Sequence, residues 1–263
     1  MNAKIIIATH KKYWMPKDEM YLPLHVGAEG KFDASGKPLD LGYTKDNTGE
    51  NISEKNSYFC ELTGLYWAWK NLDEDYIGLV HYRRYFSMHR RSSFENVLTY
   101  EELRPYLGRI RLFVPKKRNY FIETLYSHYE HTHYIEQLDL TRTIIKESAF
   151  DIVVNRKSAY MFNMAIMDKR LLNEYCTWLF DILFELENRI DMPDLNAFQS
   201  RFYGRISEII FNVWLEYKIE NKSLSKYKIM ELNCIHLEKI NWYKKGKAFL
   251  KAKFCGEKYQ GSF

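Results

Sequence analysis

The 263-residue chain has little cysteine, no long apolar run, no internal repeat and no low-complexity tract. Its four cysteines, Cys60, Cys176, Cys234 and Cys255, lie far apart and form no metal-ligand pair. They read as reduced thiols of a cytoplasmic protein, which excludes a disulfide-stapled secreted domain. No stretch approaches the ~18 uncharged apolar residues that a spanning helix needs. The apolar start, Lys4-Ile-Ile-Ile-Ala-Thr9, is too short for a secretory leader. Strong charge of one sign is also missing: the net charge is +5. Outside the tail the basic residues are scattered, so a contiguous nucleic-acid groove is not expected.

The hydrophobic (46%) and charged (28%) contents are those of a globular chain, large enough to form a core without metal or disulfide support. Aromatic residues are plentiful at 16%, including 21 Tyr and 6 Trp. Such residues suit sugar or base stacking, and they also fill cores.

The pattern predicts an α/β fold. Lys4–Ala8 reads as a central strand ending in Thr9-His10-Lys11-Lys12-Tyr13. Tyr21–Val26 reads as a second, and Glu29 to Ser53 as a long loop of the kind that usually serves function. A single helix is expected over Asn56–Asn71, packing Leu62, Leu65, Tyr66, Trp69 and Leu72. Tyr76–Val80 is a strand covered on both faces. It delivers His81-Tyr82-Arg83-Arg84-Tyr85 to its carboxyl end, the edge where open α/β sheets collect ligands. Two guanidinium groups there match the oxygens of a phosphate; the other reading is pairing with surface carboxylates.

Further on, a short helix is expected at Tyr100–Tyr106, a strand at Ile110–Val114 and one or two helices in Phe121–Glu147. Within the last, His128 and His131 have metal-ligand spacing, but His133 is out of phase, so a polar helix face is preferred. Ala159–Met167 reads as one buried strand with a single amide, Asn163, serving as a structural clamp or a ligand contact. Helices follow at Arg170–Arg189 and Ser207–Tyr217. Glu208, set among apolar residues of the latter, has its charged form disfavoured unless Arg205 pairs with it. From Lys239 to Lys258 the tail carries seven lysines and one glutamate among apolar residues, either a solvated basic segment or a contact for an anionic membrane.

Ile7-Ala-Thr-His-Lys-Lys-Tyr13, Leu22-Pro-Leu-His-Val-Gly-Ala28, Asn51-Ile-Ser-Glu-Lys-Asn56 and Cys60-Glu-Leu-Thr-Gly-Leu-Tyr-Trp-Ala-Trp-Lys-Asn71 belong together. With Ile77-Gly-Leu-Val-His-Tyr-Arg-Arg-Tyr-Phe86, Phe162-Asn-Met-Ala-Ile-Met167 and Arg205-Ile-Ser-Glu208, they resemble a family of bacterial capsular and exopolysaccharide synthesis proteins, long catalogued only as a domain of unknown function. The resemblance covers roughly residues 4 to 217, leaving 218–263 as a C-terminal extension. It implies a glycosyltransferase of the GT-A type, with a Rossmann-like mixed sheet flanked by helices, a helical C-terminal part and a nucleotide-sugar donor. Some members are linked to galactofuranose transfer from the UDP-sugar.

Most GT-A enzymes hold the donor diphosphate through a divalent metal on an Asp-x-Asp motif just after a central strand. Here Asp73-Glu-Asp75 precedes the strand, at the wrong edge, and His81, Tyr82, Arg83 and Arg84 stand at the right one. The expectation is therefore transfer without a metal or other cofactor, the arginines replacing the cation. Thr9, His10 and Lys11 are expected at the nucleotide; Asn51, Ser53 and Asn56 at the ribose, diphosphate or donor sugar; and His133 and Asn163 at the acceptor. Glu208 is expected as general base, with His81 or His133 as substitutes. The expected partners are a UDP-sugar and a lipid-linked oligosaccharide, handled in the cytoplasm or at the inner face of the membrane. The competing reading is a non-catalytic carbohydrate-binding or assembly protein.

Overall fold

The computed structural model describes residues 1–191, 195–238 and 251–253. The strands are β1 (Ala3–Thr9), β2 (Tyr21–His25), β3 (Thr44–Lys45), β4 (Tyr76–His81), β5 (Arg84–Ser87), β6 (Leu112–Pro115), β7 (Arg118–Asn119), β8 (Ser158–Ala159), β9 (Ala165–Asp168) and β10 (Ile229–His236). The α-helices are α1 (Asn56–Phe59), α2 (Leu62–Asn71), α3 (Tyr100–Leu103), α4 (Leu125–Thr132), α5 (Ile135–Ile144), α6 (Ala149–Val154), α7 (Lys169–Arg189) and α8 (Phe202–Glu220). Eight strands form one mixed sheet, and β7 and β8 make a separate two-stranded ribbon.

A nearly all-buried strand sits at the centre. β4 runs parallel to β1 on one side and antiparallel to β9 on the other. Its side chains alternate between two cores, Ile77 and Leu79 in one, Tyr76 and Val80 in the other. Gly78 is needed where β9 crosses, because a Cβ there would lie 2.8 Å from Ile166 Cγ1. β2 and β3 extend the parallel half outward from β1. On the other side β9 pairs with β6, β6 with β10, and β10 with β5. β5 returns to β4 through the single pair His81–Arg84, so the chain turns back on itself at the strand's carboxyl end.

The helices lie over the sheet where their apolar stripes dictate. α2 comes close enough that a Cβ on Gly64 would lie 2.8 Å from Val26 Cγ1. α7 is capped by Asp168, whose carboxylate accepts from the Leu171 N–H at 2.7 Å. α3 carries a capping box from Thr99 and Glu102.

Four expectations change in detail. The helix expected over Asn56–Asn71 is broken at Cys60, which adopts φ 55° and separates α1 from α2. The strand expected over Ala159–Met167 is two short strands joined by a turn in which Phe162 (φ 78°) and Asn163 (φ 52°) are both left-handed. Asparagine tolerates that region better than most residues. β5 has no counterpart in the sequence reading, and the C-terminal part expected to be helical contributes β10 to the main sheet, between β5 and β6. The final helix begins at Phe202, five residues earlier than expected.

Of the basic tail, residues 239–250 and 254–263 lie outside the described residues, and so does the expected membrane contact. In the described part Ala252 is buried and Lys253 Nζ lies 3.5 Å from Glu123 Oε1. No described helix is long and apolar enough to cross a membrane.

Candidate active site

A cleft of about 650 Å³ opens at the carboxyl ends of β1 and β4, between the α1–α2 break, the Phe162 turn and the start of α8. That volume is typical of sites for small organic ligands. Five arginines line it: Arg83, Arg84, Arg118, Arg201 and Arg205. Two carboxylates face them, Glu61 and Glu208.

The turn after β4 sets the centre. The carbonyl of Phe162 only accepts, so His81 donates to it through Nε2–H at 2.6 Å. Burial lowers the His81 pKa, Glu61 offsetting this in part, so the ring is neutral at physiological pH with Nδ1 as its acceptor nitrogen. Arg84 lies over the Phe162 ring at 4.8 Å, and its buried Nε has no hydrogen-bond partner. Buried Nη1 of Arg205 has none either, although Nη2 bonds the Phe198 carbonyl and the guanidinium stacks 4.2 Å from the Phe198 ring. An unsatisfied buried donor costs about 1–3 kcal/mol, so both arginines are poised for an acceptor-rich anion. Arg83 differs from them. It is 40% exposed and paired with Glu238 at 3.1 Å, so the surface-pairing alternative applies to it in this structure.

Glu208 lies on the inner wall. Burial pushes its carboxyl up to about 7, with the Glu61 carboxylate adding to the rise and Arg118, Arg84 and Arg205 opposing it. The alternative in which Arg205 neutralises Glu208 is not realised, since that guanidinium is turned to Phe198.

The other expected site residues divide. His10, Asn56, Tyr82 and His133 line the cleft. His10 meets Tyr82 edge-on at 5.5 Å, and burial and then Lys11 lower its pKa. Asn56 spends its amide on the Cys60 carbonyl (2.7 Å) and Thr63 Oγ1 (3.0 Å). His133 is buried, with Nδ1 3.0 Å from Gln199 Oε1.

Thr9, Lys11, Asn51, Ser53 and Asn163 are not on the wall. Thr9 closes a turn with the Lys11 backbone, while the Lys11 amine sits over the Tyr82 ring at 5.1 Å. Ser53 donates to the fully buried Asp46, which also accepts from Gly27 N, Ala28 N and Thr63 Oγ1. Asn51 caps the turn that positions Ser53. These polar residues hold the long loop to the sheet, because an unpaired Asp46 in the core would be costly. Asn163 is a clamp: its amide donates to Glu61 Oε1 (2.7 Å) and the Gly204 carbonyl (2.9 Å), and its Oδ1 accepts from Ser207 Oγ (2.7 Å).

His128 and His131 converge on a carboxylate. Both Nδ1 atoms turn to the buried Glu123 carboxylate, at 2.9 and 2.8 Å. Among the described residues no group of three or more His, Cys, Asp and Glu side chains has metal-holding geometry. Asp73-Glu-Asp75 is at the opposite end of β4, where Asp73 pairs with Lys169 and Asp75 caps the N–H of Asn2.

Sequence reasoning missed Arg118, Arg201 and Glu61 as wall residues. The available signals were weak: a basic stop after a strand for Arg118, and for Glu61 a carboxylate off the apolar face of its helix.

Residues 4–221 match the family model described as "Domain of unknown function (DUF4422)". The chain belongs to this family. No curated protein matches it. Among solved structures it is similar to the apo structure of the WbbM bifunctional glycosyltransferase, with TM-score 0.79 and 28% identity over 91% of this chain. The match takes in 46% of that protein, so the chain spans about half its length. The family and the GT-A-like sheet expected from the motifs are both borne out.

Proposed function

We propose that the protein is a glycosyltransferase that moves a hexose, galactofuranose being the one its resemblance implies, from a UDP-sugar to a growing capsular or exopolysaccharide repeat unit. The observation that carries this reading is one cleft holding five guanidinium groups and a carboxylate whose pKa lies near 7. The likeness to the WbbM glycosyltransferase supports the same class of reaction.

In this reading Arg84 and Arg205 direct their unsatisfied N–H groups at the donor diphosphate, with Arg83 released from Glu238 to join them at the rim. Each charge-assisted hydrogen bond contributes about 1.5–3 kcal/mol. Arginine then supplies the charge that a divalent ion supplies elsewhere, and no metal is required. His10 and Tyr82 flank the nucleotide. Glu208 accepts the proton of the acceptor hydroxyl as its oxygen bonds to the anomeric carbon and the bond to the diphosphate breaks. The diphosphate leaves with the electron pair. A base of pKa near 7 is matched to that step at neutral pH. The acceptor is a lipid-linked oligosaccharide entering past His133, and the tail from Lys239 to Lys258 holds the protein at the anionic inner face of the membrane.

Calorimetric titration of UDP, with and without EDTA, tests the reading. Binding that survives EDTA is expected. Binding that requires added manganese overturns the role given to the arginines. Absence of binding in both conditions overturns donor use and leaves a non-catalytic carbohydrate-binding protein.

A further inference from the structure

The cleft contains a second carboxylate that the mechanism above leaves unused, and three separate segments converge to hold it. Cys60 adopts φ 55° and ψ −131°, a conformation that is strained for a non-glycine residue. The Asn56 amide secures it through the Cys60 carbonyl. The consequence is that Glu61, instead of continuing a helix, stands at the head of α2 on the cleft wall. Asn163, itself left-handed, then donates to Glu61 Oε1 at 2.7 Å. The start of α8 closes the arrangement: the Gly204 carbonyl and Ser207 hydroxyl take up the rest of the Asn163 amide group.

A carboxylate bonded to a neutral amide, in a cleft walled by guanidinium groups, is an unusual use of charge. Pairing with arginine would consume its acceptor capacity. The amide occupies one position at Oε1, and an ionised carboxylate has about four lone-pair positions. Guanidinium groups only donate, so they suit phosphate oxygens and cannot accept from sugar hydroxyls. Glu61 shares the cleft wall with Glu208, His81, Arg84 and Arg201 and lies within electrostatic reach of each.

We infer that Glu61 is the donor-sugar specificity residue, accepting hydrogen bonds from ring hydroxyls of the transferred hexose while Asn163 positions it. This rests on the donor reading above. A site built to pair with a hydroxyl rejects analogues that misplace it far more strongly than an apolar pocket does.

The test compares wild type, Glu61→Gln and Asn163→Ala by UDP titration and by transfer from UDP-galactofuranose and UDP-galactopyranose, isomers that present their hydroxyls from rings of different size. Expected for Glu61→Gln is UDP affinity within about twofold of wild type. Its kcat/KM for the preferred donor should fall roughly 100-fold, and the preference between the two isomers should collapse toward unity. Asn163→Ala should shift the preference in the same direction by a smaller factor. Retained UDP binding reports that the fold is intact. Equal losses on both donors, with the preference unchanged, overturn the inference, as does an effect confined to the acceptor KM. If wild type fails to bind UDP at all, the donor reading itself fails, and Glu61 has no donor sugar to select.

Discussion

The two ends of β4 carry similar densities of charge and have opposite fates. At the amino end, Asp73 pairs with Lys169, Asp75 caps Asn2 and Arg111 pairs with Asp168. At the carboxyl end, Arg84 and Arg205 keep buried N–H groups without partners, and Glu208 lies on a cleft wall among cations without pairing to Arg205. A charged motif therefore marks a site only where the fold leaves it uncompensated. At the amino end tertiary neighbours neutralise the motif. At the carboxyl end the turn into β5 and the start of α8 hold charge toward one cavity, and burial keeps water from screening it.

The largest effect that separates the two ends is expected from Glu208→Gln. Transfer should fall about 10²–10⁴-fold, the range of general-base contributions, with UDP affinity unchanged in the titration. The rise of wild-type kcat/KM through pH about 7, where the Glu208 base ionises, should vanish in the variant. Wild-type turnover by the variant would move the base to His81 or His133.

Arg84→Ala should weaken UDP binding about 10–100-fold, because it removes a buried charge-assisted donor. Arg83→Ala should weaken it less, since Arg83 is more exposed and already paired with Glu238. Equal losses would mean that depth in the cleft is not what distinguishes them.

A stability measurement sharpens the same contrast. The Glu208 carboxyl has a folded pKa of about 7 against 4.5 ordinarily, so the folded state binds the extra proton between these values. Its contribution is fully present below pH 4.5 and is lost as pH rises through 7. Glu208→Gln should therefore raise Tm relative to wild type at pH 8 and leave it nearly unchanged at pH 5. The smallest effect is expected at the other end: Asp73→Asn should leave UDP binding and turnover untouched, and a loss of binding would restore that motif as a metal site.

Much of the fold was legible because periodicity and burial coincide. β1, β2, β4, β6, α7 and the helical stretch around α4 and α5 follow apolar spacing in the chain. The left-handed Cys60, Phe162 and Asn163 were not legible; Phe162 and Asn163 are held by His81, Glu61, Gly204 and Ser207, all distant in sequence. Nor was β10, whose mixed burial gives no clean alternation and whose neighbours β5 and β6 lie more than a hundred residues earlier.

Local chemistry in the sequence by itself determined the central strand, the basic cluster at its carboxyl end and the carboxylate set in an apolar helix. It also carried the family motifs. Only the tertiary structure decided which polar residues remain available. Ser53, Asn51 and Asn163 look like ligand contacts in one dimension and are consumed by Asp46, a turn and Glu61 in three. Glu61, Arg118 and Arg201, unremarkable along the chain, become wall residues. The physical reason is that a hydrogen-bonding group has limited capacity, and long-range packing determines whether protein or ligand uses it.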